Sequence, residues 1–250
     1  LLSPSNALFW EKGMAEPAII REANPEALAQ RAARWLTDIA NSSSSRFAVA
    51  LSGGSTPKRL YEILAEQNEQ SRFPWERTHL FWGDERHVPV TAVDSNQRMT
   101  REALLDHVPI PPQNVHAVPV SGTPEQDALL YQQDMQTYYG GMALDMARPL
   151  FDVVLLGLGE NGHTASLFPG TPSLDEELAW VTAVTTGVPQ PRLTLTYPAI
   201  ACSRHVAFLV AGAGKAAVLK QVLAGDRTQP AARVTTIGQL TWFVDEAAAG

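Results

Sequence analysis

The sequence predicts an α/β fold, a mostly parallel central sheet flanked by helices. Three observations predict it. An apolar strand, a glycine-rich or charged loop and a helical pattern recur in that order along the chain. The segments 153–156 and 206–210 are apolar without alternation, as strands covered on both faces are. The chain has 250 residues, 45% of them hydrophobic and 18% charged, which suffices for one sizeable core and excludes a disordered polymer. A single domain over residues 1–250 is expected.

Asn24-Pro25 is a helix start, a capping side chain followed by proline at the first helical position. Leu28, Ala32, Trp35, Leu36 and Ile39 then share one face, and the helix ends in 41–45. A strand at 46–51 runs into the turn 52–57 and a helix carrying Leu60, Ile63 and Leu64. The same grammar gives a strand at 78–82 with a loop at 83–86, and a strand at 151–156 with a loop at 157–163. A strand at 205–210 leads through 212–215 to a helix with Val218, Leu219, Val222 and Leu223. Weaker strands are expected at 115–118, 180–184, 193–197 and 242–244.

Composition narrows the function. Nineteen Lys and Arg against 26 Asp and Glu leave a net charge of −7, and no basic run exists to track a phosphate backbone, which argues against nucleic acid. The one cysteine, Cys202, has no disulfide partner, and the six histidines show no zinc-like spacing, so a metal-free chain in a reducing, cytoplasmic setting is expected. No apolar stretch is long enough to span a bilayer, and residues 1–16 lack the features of a signal peptide.

In a parallel sheet, the loops leaving the carboxyl ends of the strands gather on one edge, where ligands bind. Four loops are predicted to meet there. Ser52, Gly53, Gly54, Ser55 and Thr56, followed by Pro57, put glycines, hydroxyls and main-chain N–H groups at a helix N-terminus, which suits an anion. A plain tight turn with Thr56 as N-cap is the competing reading. Lys215 opens a helix with the wrong sign of charge for that end, a conflict that an anionic ligand resolves. The Trp82-to-Pro89 segment packs Asp84, Glu85 and Arg86 at a strand exit, either a surface network or a site in which an acid braces the Arg86 fork. His87 there is assigned a surface or packing role and no catalytic one.

The fourth loop, Gly157-Leu-Gly-Glu-Asn-Gly162, has the GxGxxG spacing of a dinucleotide site. Pro169 and Gly170 leave little room for the following helix, and Thr182 stands where a ribose-binding acid is required. His163, in a glycine-rich loop beside the expected anion seat, is the best general-base candidate. Ser166 lacks a nucleophile elbow and is expected to cap a helix, and Cys202 to be buried.

The segments Ala50-Leu-Ser-Gly-Gly-Ser-Thr-Pro57, Phe81-Trp-Gly-Asp-Glu-Arg-His-Val-Pro89, Asp94-Ser-Asn96, Gly157-Leu-Gly-Glu-Asn-Gly-His-Thr-Ala-Ser-Leu-Phe-Pro169, 192–198 and Gly214-Lys215 together resemble the 6-phosphogluconolactonase family. The resemblance runs from about Ala50 to Lys220. It implies a Rossmann-like sheet related to the sugar-phosphate isomerase and deaminase folds. It also implies hydrolysis of 6-phospho-D-glucono-1,5-lactone in the oxidative pentose phosphate pathway, with no cofactor or metal and with that small molecule, and no nucleic acid or membrane, as partner. By residue, it implies His163 as general base, with Ser52 to Thr56, Arg86 and Lys215 on the phosphate and Arg192 lining the pocket. Many members carry aspartate where this chain has Asn161, beside Glu160, so the imidazolium would lose a charged partner but keep a hydrogen bond.

Three other functions compete. A glucosamine-6-phosphate deaminase or isomerase resembles the histidine loop but needs a glutamate shortly after the histidine, where Ser166-Leu-Phe-Pro169 stands. A non-catalytic sugar-phosphate sensor would have no use for His163. A dinucleotide-dependent dehydrogenase lacks its ribose acid.

Overall fold

The computed structural model describes residues 16–66 and 73–250, so the signal-peptide reading of 1–16 lies, but for Glu16, outside the described residues. In chain order the strands are β1 (Ala18–Glu22), β2 (Phe47–Leu51), β3 (Thr78–Trp82), β4 (Asp84–Arg86), β5 (Phe151–Leu156), β6 (Val181–Val184), β7 (Arg192–Leu195), β8 (Ser203–Val210) and β9 (Gln239–Asp245). The α-helices are α1 (Pro25–Ser42), α2 (Ser55–Glu66), α3 (Asn96–Ala103), α4 (Pro124–Tyr139), α5 (Tyr197–Ala201), α6 (Ala216–Leu223) and α7 (Glu246–Ala249).

Six strands form one parallel sheet in the order β1-β9-β8-β5-β2-β3. Every residue of β2 is buried, as expected of an apolar strand between two helical layers. Asn24 caps α1 by accepting the Ala27 N–H at 2.9 Å, and Leu28, Ala32 and Leu36 are buried beneath it. Trp35 from the same helix meets Phe243 of β9 edge-on at 5.3 Å, and Phe208 stacks on Trp242 across β8 and β9 at 3.9 Å. No helix among the described residues is long and apolar enough to cross a membrane.

Strand order fixes where a ligand can enter. From β2 the chain moves outward to β3, then returns to place β5 on the other side of β2, and continues outward through β8 and β9. The loops after β2 and β5 therefore diverge, leaving a crevice between them at the carboxyl edge. These are the loops predicted to carry the anion seat and the histidine.

Several expectations need correction. The 83–86 loop is a strand: β4 pairs antiparallel with β7, which pairs with β6, forming a second, three-stranded sheet. Asp-Glu-Arg has little strand propensity, and tertiary pairing overrides it. Segment 115–118 contributes a single bridge, Val115 to Leu80, rather than a strand. The strand expected at 193–197 ends at Leu195, because Pro198 sits at the start of α5 where a missing N–H is harmless. Helix α2 begins at Ser55: Lys58 N–H bonds Gly54 O at 3.0 Å, so Gly54, at φ 105°, occupies the cap position that the tight-turn reading gave to Thr56.

Candidate functional site

A cavity of about 290 Å³ opens at the carboxyl edge of the large sheet, lined by 52–57, 157–159, 163–165, 209–211, Asp84, Arg86, Asn96, Arg192 and Lys215. All four predicted loops meet in it.

The first wall is the turn after β2. Tyr61, one turn into α2, accepts the Ser52 N–H at 2.9 Å and donates to Ser52 O at 2.8 Å, which fixes where the turn begins. Because the first helical bond belongs to Lys58, the N–H groups of Ser55 and Thr56 have no helical acceptor and, with the helix dipole, favour an anion. Gly53 is required by close approach, since a Cβ there would overlap the Asn96 side chain.

The second wall is the ribbon formed by β4 and β7. Arg86 and Arg192 are directly opposed in register, a like-charge pair that is unfavourable until an anion lies near both. Arg86 Nη1 donates to Asp94 O at 2.6 Å and Asn96 Oδ1 at 3.0 Å, and Asn96 Nδ2 donates to Asp84 O at 2.9 Å. Among the described residues, the buried Nε atoms of Arg86 and Arg192 have no partner. Asp84 lies 3.8 Å from Arg192 Nη1 and accepts the Ser166 hydroxyl at 2.6 Å.

These contacts correct the expected bracing of Arg86, which is held by Asn96 and the Asp94 carbonyl. Glu85 faces away from the cavity and is fully buried. It accepts the N–H groups of Arg86, Asn96 and Gln97 and the Ser95 hydroxyl, so its carboxylate anchors the start of α3 to the ribbon. Burial pushes the Glu85 carboxyl up, and those hydrogen bonds oppose the shift.

His163 forms the third wall. No α-helix lies between His163 and β6, so the expected capping role of Ser166 is replaced by the bond to Asp84. The turn is closed by Gly159 N–H to His163 O at 2.8 Å and by the Thr164 hydroxyl to Gly157 O at 2.8 Å. Gly159 is again a matter of close approach, because a Cβ would overlap the imidazole. The ring stacks on Phe168 at 4.3 Å, and the Arg192 guanidinium lies 5.3 Å from the same aromatic ring. Asn161 Oδ1 lies 2.5 Å from Nδ1; a carbonyl oxygen can only accept, so the proton sits on Nδ1 and Nε2 keeps its lone pair. Burial pushes the imidazole down to about 4; Asp84 opposes this, while Arg192, Lys215 and Arg86 add to it. His163 is thus neutral near pH 7.

Lys215 completes the site at the end of the turn Ala213–Lys215, just before α6. That turn is held by the Asp245 carboxylate, which accepts the Gly212 N–H at 3.0 and 3.1 Å. His87 lies outside the cavity, its Nε2 2.8 Å from Asp127, and Cys202 is buried, both as expected of packing residues.

The sequence reading gave no role to Asn96 or Thr194, whose Oγ1 accepts the Ser166 N–H at 3.1 Å, and assigned Ser166 to helix capping. Asn96 had a signal, since Asp94-Ser95-Asn96 stands out before a helix; the other two are set by contacts distant in sequence.

Residues 23–242 match the family described as glucosamine-6-phosphate isomerases/6-phosphogluconolactonase. The 6-phosphogluconolactonase of Synechocystis sp. is 48% identical over 204 residues, 80% of this chain and 82% of its own. Among solved structures, the 6-phosphogluconolactonase from Trypanosoma cruzi superposes with a TM-score of 0.79 at 32% identity, covering 95% of this chain and 97% of that one. The enzyme of that name from Thermotoga maritima gives 0.80 at 30% identity, over 92% and 100%.

Proposed function

Because the chain belongs to the glucosamine-6-phosphate isomerase/6-phosphogluconolactonase family, we propose that it is a lactone hydrolase. Its reaction is the opening of 6-phospho-D-glucono-1,5-lactone to 6-phospho-D-gluconate, the hydrolytic step of the oxidative pentose phosphate pathway. One observation carries the mechanism: a neutral histidine, with Nε2 uncommitted, lines a cavity whose other polar groups suit an anionic substrate.

The sugar phosphate is held by the 52–56 turn, Arg86 and Lys215. That contact is remote from the reacting carbon, so its energy goes into orienting C1. Water attacks the C1 carbonyl while His163 Nε2 removes a proton from it, producing a tetrahedral oxyanion and an imidazolium. When the intermediate collapses, the bond from C1 to the ring oxygen breaks, and the imidazolium returns its proton to that oxygen. The products are a free hydroxyl and a carboxylic acid, which ionises. Asn161 keeps the ring in the productive tautomer throughout.

A base with a pKa near 4 is weak, but two of the three cations that help depress it, Arg86 and Lys215, are groups that receive the phosphate. Substrate binding neutralises part of their charge and raises the proton affinity of Nε2 when the base is needed. A deaminase or isomerase is disfavoured because the stretch after His163, Thr164-Ala-Ser-Leu-Phe-Pro169, has no carboxylate for ring opening and enolisation.

The test is a hydrolysis assay with freshly generated 6-phosphogluconolactone, corrected for spontaneous opening, alongside glucosamine 6-phosphate. A protein-dependent rate on the lactone alone is expected. Turnover of the amino sugar with none of the lactone would overturn the reading.

A further inference from the structure

Ser166 lies three positions after His163, and its side chain is fully buried and outside the cavity lining. The preceding residue, Ala165, has φ 46°, the one non-glycine among the described residues in the left-handed region. For a residue with a Cβ this costs about 1 kcal/mol or more, so the surrounding contacts must hold it there. Ser166 makes two such contacts. Its N–H donates to Thr194 Oγ1 at 3.1 Å and its hydroxyl to Asp84 Oδ2 at 2.6 Å. Asp84 and Thr194 are register partners on β4 and β7, two residues from the Arg86 and Arg192 pair. One buried residue thus ties the histidine loop to both strands that carry the arginines.

Resting on the lactonase reading above, we propose that Ser166 is a positioning residue: it pins Asp84 beside Arg192 and so fixes His163 relative to the two arginines. Asp84 is the one carboxylate on the cavity wall among the described residues. At 3.8 Å it stops short of a direct bond to Arg192. Without the short bond from Ser166, the carboxylate is free to close on Arg192, occupying a cation of the site. The twist at Ala165 then relaxes and carries the imidazole with it. Displacement by about 1 Å is enough to cost up to about a hundredfold in rate.

The experiment is a double-mutant cycle with Ser166→Ala, Asp84→Asn and the two combined, read as kcat and KM on 6-phosphogluconolactone. Ser166→Ala is expected to lower kcat about tenfold or more with KM held within about threefold, and the double variant to be no slower than Asp84→Asn alone. A kcat within about twofold of the unaltered protein, or losses that multiply in the double variant, would overturn the proposal. If Ser166→Ala does not fold, Thr194→Val removes the other contact of the same residue and is expected to lower kcat in the same way; an unchanged kcat overturns the proposal. Proton NMR titration of His163 in the substrate-free protein keeps the two readings apart. Ser166→Ala is expected to move its midpoint by about half a pH unit even if no lactone is turned over, and an unmoved midpoint counts against the positioning role.

Discussion

His163 and the His79–His116 pair are both half-buried against aromatic rings, and they differ in how their ring nitrogens are used. In the cavity, His163 stacks on Phe168, and its Nδ1 bonds the neutral Asn161. Near the amino end of β3, His79 Nδ1 lies 3.0 Å from His116 Nε2, His116 Nδ1 lies 2.8 Å from the Asp134 carboxylate, and Phe81 stacks on His116 at 4.0 Å. Burial pushes both His79 and His163 down to about 4. A depressed pKa alone therefore does not identify a base. His116 has both nitrogens committed, and the cluster ties α4 to the edge of the sheet. His163 leaves one nitrogen facing a cavity, with cations arranged around it.

The largest effect should come from exchanging the roles of these two regions. His163→Ala is expected to lower kcat by about 10²- to 10⁴-fold while the protein still binds 6-phosphogluconate, measured by calorimetry, because proton transfer is lost and the phosphate contacts remain. Loss of product binding together with rate would move His163 from the reaction to the phosphate. Arg86→Ala and Lys215→Ala come next. Each removes charge-assisted hydrogen bonds of about 1.5 to 3 kcal/mol, so kcat/KM for the phosphorylated lactone should fall by roughly ten- to a hundredfold, and far less for glucono-1,5-lactone. Equal losses on both lactones would place that residue at the oxyanion.

In the structural region the expectation is reversed. His116→Ala breaks the link to Asp134 and leaves a void beneath Phe81, for an expected cost of about 1 to 3 kcal/mol in denaturant unfolding with lactonase kcat unchanged. A lowered kcat with unaltered stability would contradict the division of roles. Proton linkage is common to both sites. The folded His79 and His163 bind protons less readily than their unfolded value of 6.5, so the stability they contribute is complete above pH 6.5 and declines as pH falls from there toward 4.

How much of this the sequence disclosed depends on the range of the contacts. The strand, loop and helix units around 46–66, 78–82, 151–156 and 205–223 are local patterns of apolar runs and glycines, and they emerged nearly at their true bounds. The second sheet did not, since Asp84-Glu85-Arg86 becomes a strand only when Arg192 to Leu195 arrives from the other half of the chain. Helix α4 also went unread, although the Thr123 and Gln126 capping box and Gly140 mark its two ends. Site residues of distinctive chemistry, His163, Arg86 and Lys215, stood out from their loops. Their supports did not: Glu85 was expected in the site and lies behind it, while Asn96 and Ser166 act through partners that no local spacing reveals.

The smallest expected effect is a change in pH dependence. On the proposed mechanism, bound phosphate partly neutralises the cations around His163, so the acid limb of kcat should lie above the value of about 4 set in the free protein. Asn161→Asp, which puts a carboxylate against Nδ1, should move that limb higher still. An acid limb unmoved by this substitution would show that residue 161 does not bond the imidazole.

Nitrogen-15 NMR of His163 across pH 3 to 8 tests the central claim most directly, that a neutral imidazole presents a bare Nε2 to the substrate. The arrangement with Asn161 predicts a protonated Nδ1 and an unprotonated Nε2 at pH 7, with a midpoint near 4. A proton on Nε2 at pH 7 would contradict the assignment of His163 as the base, and a midpoint at or above the ordinary histidine value of about 6.5 would contradict the buried, cation-lined setting of its ring.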